Sequence, residues 1–109
     1  MASILEPGLS LRPGEYLVSR NGAFELSLQP DGNLVLYRLM DHNPVWSTGT
    51  LGQAVSRLIM QPDGNLVLYG FPDAIWQSNT AGHPGSWLSV QDDGNLVIYP
   101  PSSPIWSIH

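Results

Sequence analysis

A nine-residue motif occurs three times in this chain of 109 residues, and the repetition constrains the fold more than any other feature of the sequence. The copies occupy residues 29–37, 61–69 and 91–99. A tryptophan follows each copy at a constant spacing of 30 residues: Trp46, Trp76 and Trp106. Repeats of this length indicate copies of one supersecondary unit that share a core. We therefore predict one domain, residues 1–109, with three internal repeats.

Each copy is predicted to form a β-hairpin. In the first copy, the apolar/polar alternation of Phe24–Leu28 and the run 34–37 are typical of strands. Between them, Gln-Pro-Asp-Gly is a turn signal, because proline presets φ and glycine accepts a positive φ. No segment combines helical periodicity with capping residues. The sequence predicts an all-β chain of about twelve short strands, four per repeat, with hairpins that close at Asp31-Gly32, Asp63-Gly64 and Asp93-Gly94.

Strand periodicity assigns the residues of each hairpin to two faces. Leu34 and Leu36 share one face, which we expect to form the core together with the tryptophans. Asn33, Val35 and Tyr37 lie on the opposite face, which we expect to be solvated. A repeat that only builds a core does not need the same Asn, Val and Tyr on its outer face in every copy. Because Gln and Asp precede the Asn across the turn, five side chains should converge there.

These five side chains suit a sugar. Planar amides and carboxylates donate and accept several hydrogen bonds at once, and a valine can meet the C–H groups of the ring. Ordinary turn chemistry explains Asp, Gly and Asn, but it does not require Gln, Val and Tyr at fixed offsets. The candidate binding residues are Gln29, Asp31, Asn33, Val35, Tyr37, Gln61, Asp63, Asn65, Val67, Tyr69, Gln91, Asp93, Asn95, Val97 and Tyr99.

Composition argues against several classes of partner. The chain has no lysine and a net charge of −5, whereas nucleic acids and anionic membranes require clustered basic residues. No run approaches the roughly 20 apolar residues of a membrane span, so no membrane insertion is expected. The absence of cysteine excludes a disulfide and a thiolate nucleophile. The first residues do not resemble a signal peptide, which predicts a cytoplasmic protein and leaves secretion by another route open.

The pattern Gln-x-Asp-x-Asn-x-Val-x-Tyr, three times with a following Trp, resembles the monocot mannose-binding lectins of the snowdrop type, also called bulb-type lectins. The resemblance extends from Leu9 to Trp106. It implies a β-prism II fold, which has three four-stranded antiparallel sheets around a pseudo-threefold axis, with the tryptophans at its centre. It also implies one α-D-mannose site per sheet, where Gln contacts O3, Asp and Asn contact the axial O2, Tyr contacts O4 and Val packs on the C3–C4 side.

Neither catalysis nor a cofactor is expected. A glycosidase needs two carboxylates around one bond, whereas only one carboxylate stands at the same position in all three repeats. The histidines His42, His83 and His109 are scattered without metal-ligand spacing, and no EF-hand spacing occurs, so no metal site is predicted. The alternative to a mannose-binding lectin is a protein–protein interaction module that uses the same scaffold with degenerate sugar sites.

The resemblance also implies an assembly. Related prisms dimerise by exchange of C-terminal strands, and residues 102–106 are placed to take part in such an exchange. A sheet that lacks its last strand has an open edge that another chain can fill. We therefore predict a homodimer.

Overall fold

The structure is a computed structural model that describes residues 2–101 and 104–109. These residues form twelve strands and no helix, which confirms the all-β prediction, and none of them belongs to a helix that could cross a membrane. The strands are β1 (Ile4–Leu5), β2 (Ser10–Leu11), β3 (Tyr16–Val18), β4 (Phe24–Leu28), β5 (Leu34–Arg38), β6 (Asn43–Ser47), β7 (Arg57–Met60), β8 (Leu66–Tyr69), β9 (Ala74–Gln77), β10 (Trp87–Val90), β11 (Leu96–Tyr99) and β12 (Trp106–Ser107).

The strands form three four-stranded antiparallel sheets, as predicted. Their orders are β3-β4-β5-β6, β2-β7-β8-β9 and β1-β10-β11-β12. The expectation of four strands per repeat fits the sheet β3-β4-β5-β6, whose strands are consecutive, but not the other two sheets. Each repeat supplies a hairpin and the strand with its tryptophan, while the first strand of every sheet comes from residues 4–18. This N-terminal segment thus contributes one short strand to each of the three sheets.

The three hairpins close at the predicted turns. The backbone N–H of Gln29 donates to the Asn33 carbonyl at 2.9 Å, and that of Gly32 donates to the Gln29 carbonyl at 3.1 Å. The same two bonds recur in the other copies. Gly32, Gly64 and Gly94 have φ values of 97°, 97° and 86°, a region that a residue with a side chain enters only with strain. The repeated Asp-Gly therefore determines where each strand pair reverses.

The inner faces of the three sheets form one apolar core. Leu34, Leu36 and their counterparts in the other copies are fully buried, as predicted from the strand alternation. The rings of Trp46, Trp76 and Trp106 pack against this core and against each other, with centroids 5.7, 5.9 and 5.8 Å apart in edge-to-face contacts. Edge-to-face pairs are a favoured aromatic geometry. The tryptophans therefore occupy the centre where the sheets meet, although each ring remains half-buried.

Candidate functional site

The first copy of the motif brings its five predicted side chains together on the outer face of the sheet. The Gln29 carboxamide is hydrogen-bonded to the Tyr37 hydroxyl. When its oxygen accepts from that hydroxyl, its nitrogen donates to the two Asp31 carboxylate oxygens at 3.2 and 3.1 Å. Asp31 also accepts from the backbone N–H of Asn33 at 3.0 Å. Amide, carboxylate and phenol thus form one connected row of hydrogen-bonding groups.

The second and third copies repeat the bond between Gln and Tyr and the bond between Asp and the backbone. The Gln61 Nε2 donates to the Tyr69 hydroxyl at 2.6 Å, and Gln91 makes the equivalent bond to Tyr99. The carboxylates Asp63 and Asp93 each accept from the backbone N–H two residues later at 2.9 Å. The structure therefore assembles all fifteen candidate residues into three equivalent groups, one on each sheet, which we call sites 1, 2 and 3 in chain order.

The valine of each site is less accessible than its place on the outer face predicts. Val35, Val67 and Val97 are each 3% exposed, whereas the sequence analysis expected a solvated face. In site 1, the hydrogen bond between Gln29 and Tyr37 connects the turn end of the sheet with the far end of the strand, and the valine lies between them. The polar groups thus surround a small apolar floor, so a ligand would meet the valine only at the centre of the site.

Behind sites 1 and 2 lies a pair of hydroxyl residues that the sequence analysis missed. In site 1, Asn33 Oδ1 accepts from the Thr50 backbone N–H at 3.2 Å and lies 3.4 Å from the Thr48 hydroxyl. The two hydroxyls are 2.8 Å apart, and that of Thr50 donates to the Gly32 carbonyl at 2.6 Å. The signal was present in the sequence, because hydroxyl residues stand two and four positions after both Trp46 and Trp76.

Site 2 has the same support. Asn65 Oδ1 accepts from the Thr80 backbone N–H and from the Ser78 hydroxyl, both at 3.2 Å. The hydroxyls of Ser78 and Thr80 are 2.7 Å apart, and that of Thr80 donates to the Gly64 carbonyl at 2.6 Å. The protein thus occupies Oδ1 of Asn33 and of Asn65 and leaves the Nδ2 donor of each carboxamide for another partner. In site 2 that donor reaches Gln77 Oε1 at 2.8 Å.

The sites differ in the residue that lies opposite the tyrosine in the neighbouring strand. By register these are Glu25 opposite Tyr37, Arg57 opposite Tyr69 and Trp87 opposite Tyr99. The Arg57 guanidinium carbon is 5.8 Å from the centre of its tyrosine ring, and the Trp87 ring stacks on its tyrosine with centroids 5.8 Å apart. Three identical motifs are thus flanked by an anion, a cation and an aromatic ring.

Other features of the molecule lie away from the sites. An apolar groove of about 470 Å³ between β1, β2 and β3 contains none of the fifteen residues. Arg38 and Asp41 form an exposed ion pair at 2.8 Å, and their mutual hydrogen bond raises the pKa of Arg38 and lowers that of Asp41. Within residues 2–101 and 104–109, no three His, Asp or Glu side chains gather as metal ligands.

The chain is similar to two curated mannose-specific lectins over 50 residues, which are 46% of its length. The identity is 46% to the lectin from Narcissus tazetta and 45% to that from Narcissus pseudonarcissus. The match covers only 33% and 42% of these two relatives, so the chain matches less than half of their length. No protein-family model matches the chain.

The similarity to solved structures extends over nearly the whole chain. A monomeric monocot mannose-binding lectin from Gastrodia elata has a TM-score of 0.85 and 40% identity over 97% of this chain and 96% of that one. The mannose-specific agglutinin from snowdrop (Galanthus nivalis), complexed with methyl α-D-mannoside, has a TM-score of 0.80 and 42% identity over 97% and 94%. A domain-swapped lectin dimer from Mycobacterium smegmatis has a TM-score of 0.59 and 48% identity over 96% and 97%.

Proposed function

The chain belongs to the monocot mannose-binding lectins, and from this premise we propose that it binds α-D-mannose and mannose-rich glycans, without catalysis, at up to three sites. One observation carries the proposal: the five side chains of the motif are assembled on each of the three sheets. A scaffold that only contacted other proteins would not need this arrangement three times. The protein–protein interaction module is therefore the weaker alternative.

The resemblance to mannose-binding lectins implies a definite orientation of the sugar in site 1, and the chemistry of the side chains agrees with it. The Asp31 carboxylate accepts hydrogen bonds only, and the Asn33 Nδ2 donates only, so together they suit a single hydroxyl that does both. We assign the axial O2 of mannose to this pair, O3 to Gln29 and O4 to Tyr37. Val35, at the centre of these groups, then meets the apolar C3–C4 side of the ring. The equivalent residues of sites 2 and 3 are assigned to the same sugar atoms, although Asn65 Nδ2 is bound to Gln77 Oε1 in site 2 and Asn95 is held differently in site 3.

The affinity of a single site should be low. Each site offers a few hydrogen bonds on an open surface, and each such bond contributes about 0.5–1.5 kcal/mol after exchange with water. A dissociation constant of about 1 mM, or ~4 kcal/mol, is therefore expected for one mannose. Several sites that bind one branched glycan or one glycan-coated surface raise the overall affinity by orders of magnitude. A multivalent mannose-rich glycan is accordingly the ligand that we expect the chain to bind most tightly.

We expect methyl α-D-mannoside to release the protein from a mannan column, and methyl α-D-glucoside to release it much less well. Glucose differs from mannose at C2, where its equatorial hydroxyl leaves the Asp–Asn pair without a partner. Unpaired polar groups of this kind give strong discrimination. Elution with a concentration series of each glycoside measures the difference.

A chelator on the same column is the control, and it should change nothing, because no metal takes part in the proposed contacts. Equal elution by the two glycosides would contradict the assignment of O2. Retention that no glycoside reverses would instead favour contacts with protein.

We further propose that the chain forms a homodimer by exchange of C-terminal strands, which the domain-swapped relative from Mycobacterium smegmatis supports. Of the expected exchanged segment, residues 102 and 103 lie outside the described residues. The strand β12 pairs with β11 through only two residue pairs, Val97 with Ser107 and Ile98 with Trp106. A second copy could supply the same two pairs, so exchange would preserve the sheet.

Light scattering of the purified chain at micromolar concentration should give twice its mass of 11.9 kDa. Dilution over two orders of magnitude serves as the control. Because a dimer that exchanges strands dissociates slowly, its mass should not change on dilution. A mass of 11.9 kDa at every concentration would contradict the dimer, and the chain would then resemble the monomeric Gastrodia elata lectin in assembly.

A further inference from the structure

Sites 1 and 2 depend on a hydroxyl that satisfies one particular backbone N–H. The N–H of Leu34, which follows Asn33, donates to the Thr48 hydroxyl at 3.3 Å. In site 2 the N–H of Leu66 donates to the Ser78 hydroxyl at 3.0 Å. Because the hydroxyl accepts this bond, the Oδ1 of the preceding asparagine remains available for the threonine backbone N–H behind the site. The carboxamide orientation therefore follows from a residue outside the motif.

Site 3 has an isoleucine at the equivalent position. The backbone N–H of Ile108 donates to the Leu96 carbonyl at 3.2 Å, as that of Thr48 does to Leu34 at 3.0 Å and that of Ser78 to Leu66 at 2.9 Å. The backbone hydrogen bond at this position is thus the same in all three sites, but Ile108 has no hydroxyl. A polar group that faces the backbone here must come from elsewhere.

The asparagine of site 3 takes the place of the missing hydroxyl. Its own Oδ1 accepts from the Leu96 backbone N–H at 2.9 Å, a bond that neither Asn33 nor Asn65 makes to the residue that follows it. A buried N–H without a partner costs more free energy than a reoriented carboxamide. Asn95 therefore turns its Oδ1 to the Leu96 N–H. The His109 imidazole lies 3.2 Å from the Gly94 carbonyl, which corresponds to the carbonyls bound by Thr50 and Thr80. The carboxamide of Asn95 is consequently held differently from those of the other two sites.

We propose that the residue two positions after each tryptophan is a positioning residue for the mannose-binding asparagine, and that Ile108 makes site 3 the weakest of the three. This inference rests on the proposed function. With Oδ1 bound to the Leu96 N–H and not to groups behind the site, the Asn95 carboxamide is oriented differently from those of sites 1 and 2, and we expect its Nδ2 to be turned away from the axial O2. The loss of one such hydrogen bond corresponds to roughly fivefold weaker binding.

The test is a titration of the whole ¹⁵N-labelled chain with methyl α-D-mannoside, followed by NMR. The backbone amides of Asn33, Asn65 and Asn95 report the three sites separately in one sample. We expect sites 1 and 2 to agree within twofold and site 3 to bind about fivefold more weakly. The variant Ile108→Thr supplies a hydroxyl that can accept from the Leu96 N–H, and it should bring site 3 within twofold of the others while sites 1 and 2 stay unchanged.

Two variants serve as controls. Ile108→Val keeps a branched apolar side chain without a hydroxyl, so site 3 should remain weak. Ser78→Ala removes the hydroxyl from site 2 and should weaken that site about fivefold, with sites 1 and 3 unaffected. A thermal melt of each variant verifies that it is folded, because Ile108 packs against the core. If site 3 of the unchanged chain binds as tightly as sites 1 and 2, or if folded Ile108→Thr leaves it weak, the proposal is overturned.

A readout without sugar separates this inference from the proposed function. Scalar coupling across the hydrogen bond between the Leu96 backbone nitrogen and the Asn95 side-chain carbonyl should be present in the unchanged chain and absent in Ile108→Thr. If no site responds to the mannoside, the proposed function fails, and the coupling alone decides the positioning role. Its persistence in Ile108→Thr would then show that the residue at 108 does not orient the carboxamide.

Discussion

Retention of the chain on mannan is expected to disappear when Asp31, Asp63 and Asp93 are all replaced by alanine. Each carboxylate is exposed and occupies the same motif position in every copy, so each substitution removes the proposed partner of the axial hydroxyl in one site. Because binding to a polymer depends on several weak sites at once, the loss of all three removes the avidity as well. The measurement is column retention, together with the thermal melt of the variant.

The carboxylates also stabilise their turns, which determines the controls. Asp31 accepts the Asn33 backbone N–H, and the loss of such a bond costs about 0.5–1.5 kcal/mol. The triple asparagine variant keeps an oxygen for this bond. It should therefore fold at least as well as the triple alanine variant, and it should still bind mannan weakly. Asp73→Ala removes one charge from the exposed connection between β8 and β9 and should leave retention unchanged. A folded triple alanine variant that is retained like the unchanged chain would refute the assignment of the sites.

Gly64→Ala should lower the free energy of unfolding by about 3 kcal/mol or more. Gly64 has φ of 97°, and an added Cβ would lie 2.4 Å from the His83 carbonyl oxygen and 2.9 Å from that of Thr80. Both contacts are to backbone, which cannot rotate away as a side chain would. Urea denaturation followed by tryptophan fluorescence measures the change, and site 2, whose Asp63 and Asn65 flank this glycine, should lose its affinity with it.

Gly82→Ala is a matched control, since it shares the backbone strain without the clash. Its φ is 92°, and nothing lies within 4 Å of an added Cβ. The left-handed region alone costs a residue with a side chain about 1–2 kcal/mol. The difference between the two variants therefore measures the close approach of the 80–83 loop to the turn. Equal destabilisation by both substitutions would show that the 80–83 loop moves away from the added Cβ without a cost in free energy.

The sequence predicts the hairpins and the grouping of the motif side chains on one face, because both depend on local rules. The period of two along Leu34–Tyr37 determines which side chains share a face, and the Asp-Gly turn determines where the chain reverses. Together these two rules bring Gln29, Asp31 and Asn33 to one end of a sheet. Their threefold repetition is what ordinary turn chemistry does not require, and it marks these residues as candidates for binding.

Features that depend on distant segments were not predictable in this way. Strands of two residues, such as Ile4–Leu5 and Ser10–Leu11, are too short to show a period, so their place in the sheets follows only from the tertiary structure. The hydroxyl pair of site 1 lies about 15 residues beyond Asn33 and meets it through the loop after β6. The identity of the residue opposite each tyrosine likewise requires the strand register.

The distribution of residues 4–18 over all three sheets limits how such a protein can be made and how it can evolve. Its β1 pairs with β10, whose residues leave the ribosome more than 80 positions later, so the prism closes only after the third repeat has been synthesised. Pairings this distant in sequence slow folding. A solenoid gains or loses repeats one at a time because each repeat contacts only its neighbours. Here a deletion of one repeat would leave an N-terminal strand without its sheet, which fixes the number of repeats at three.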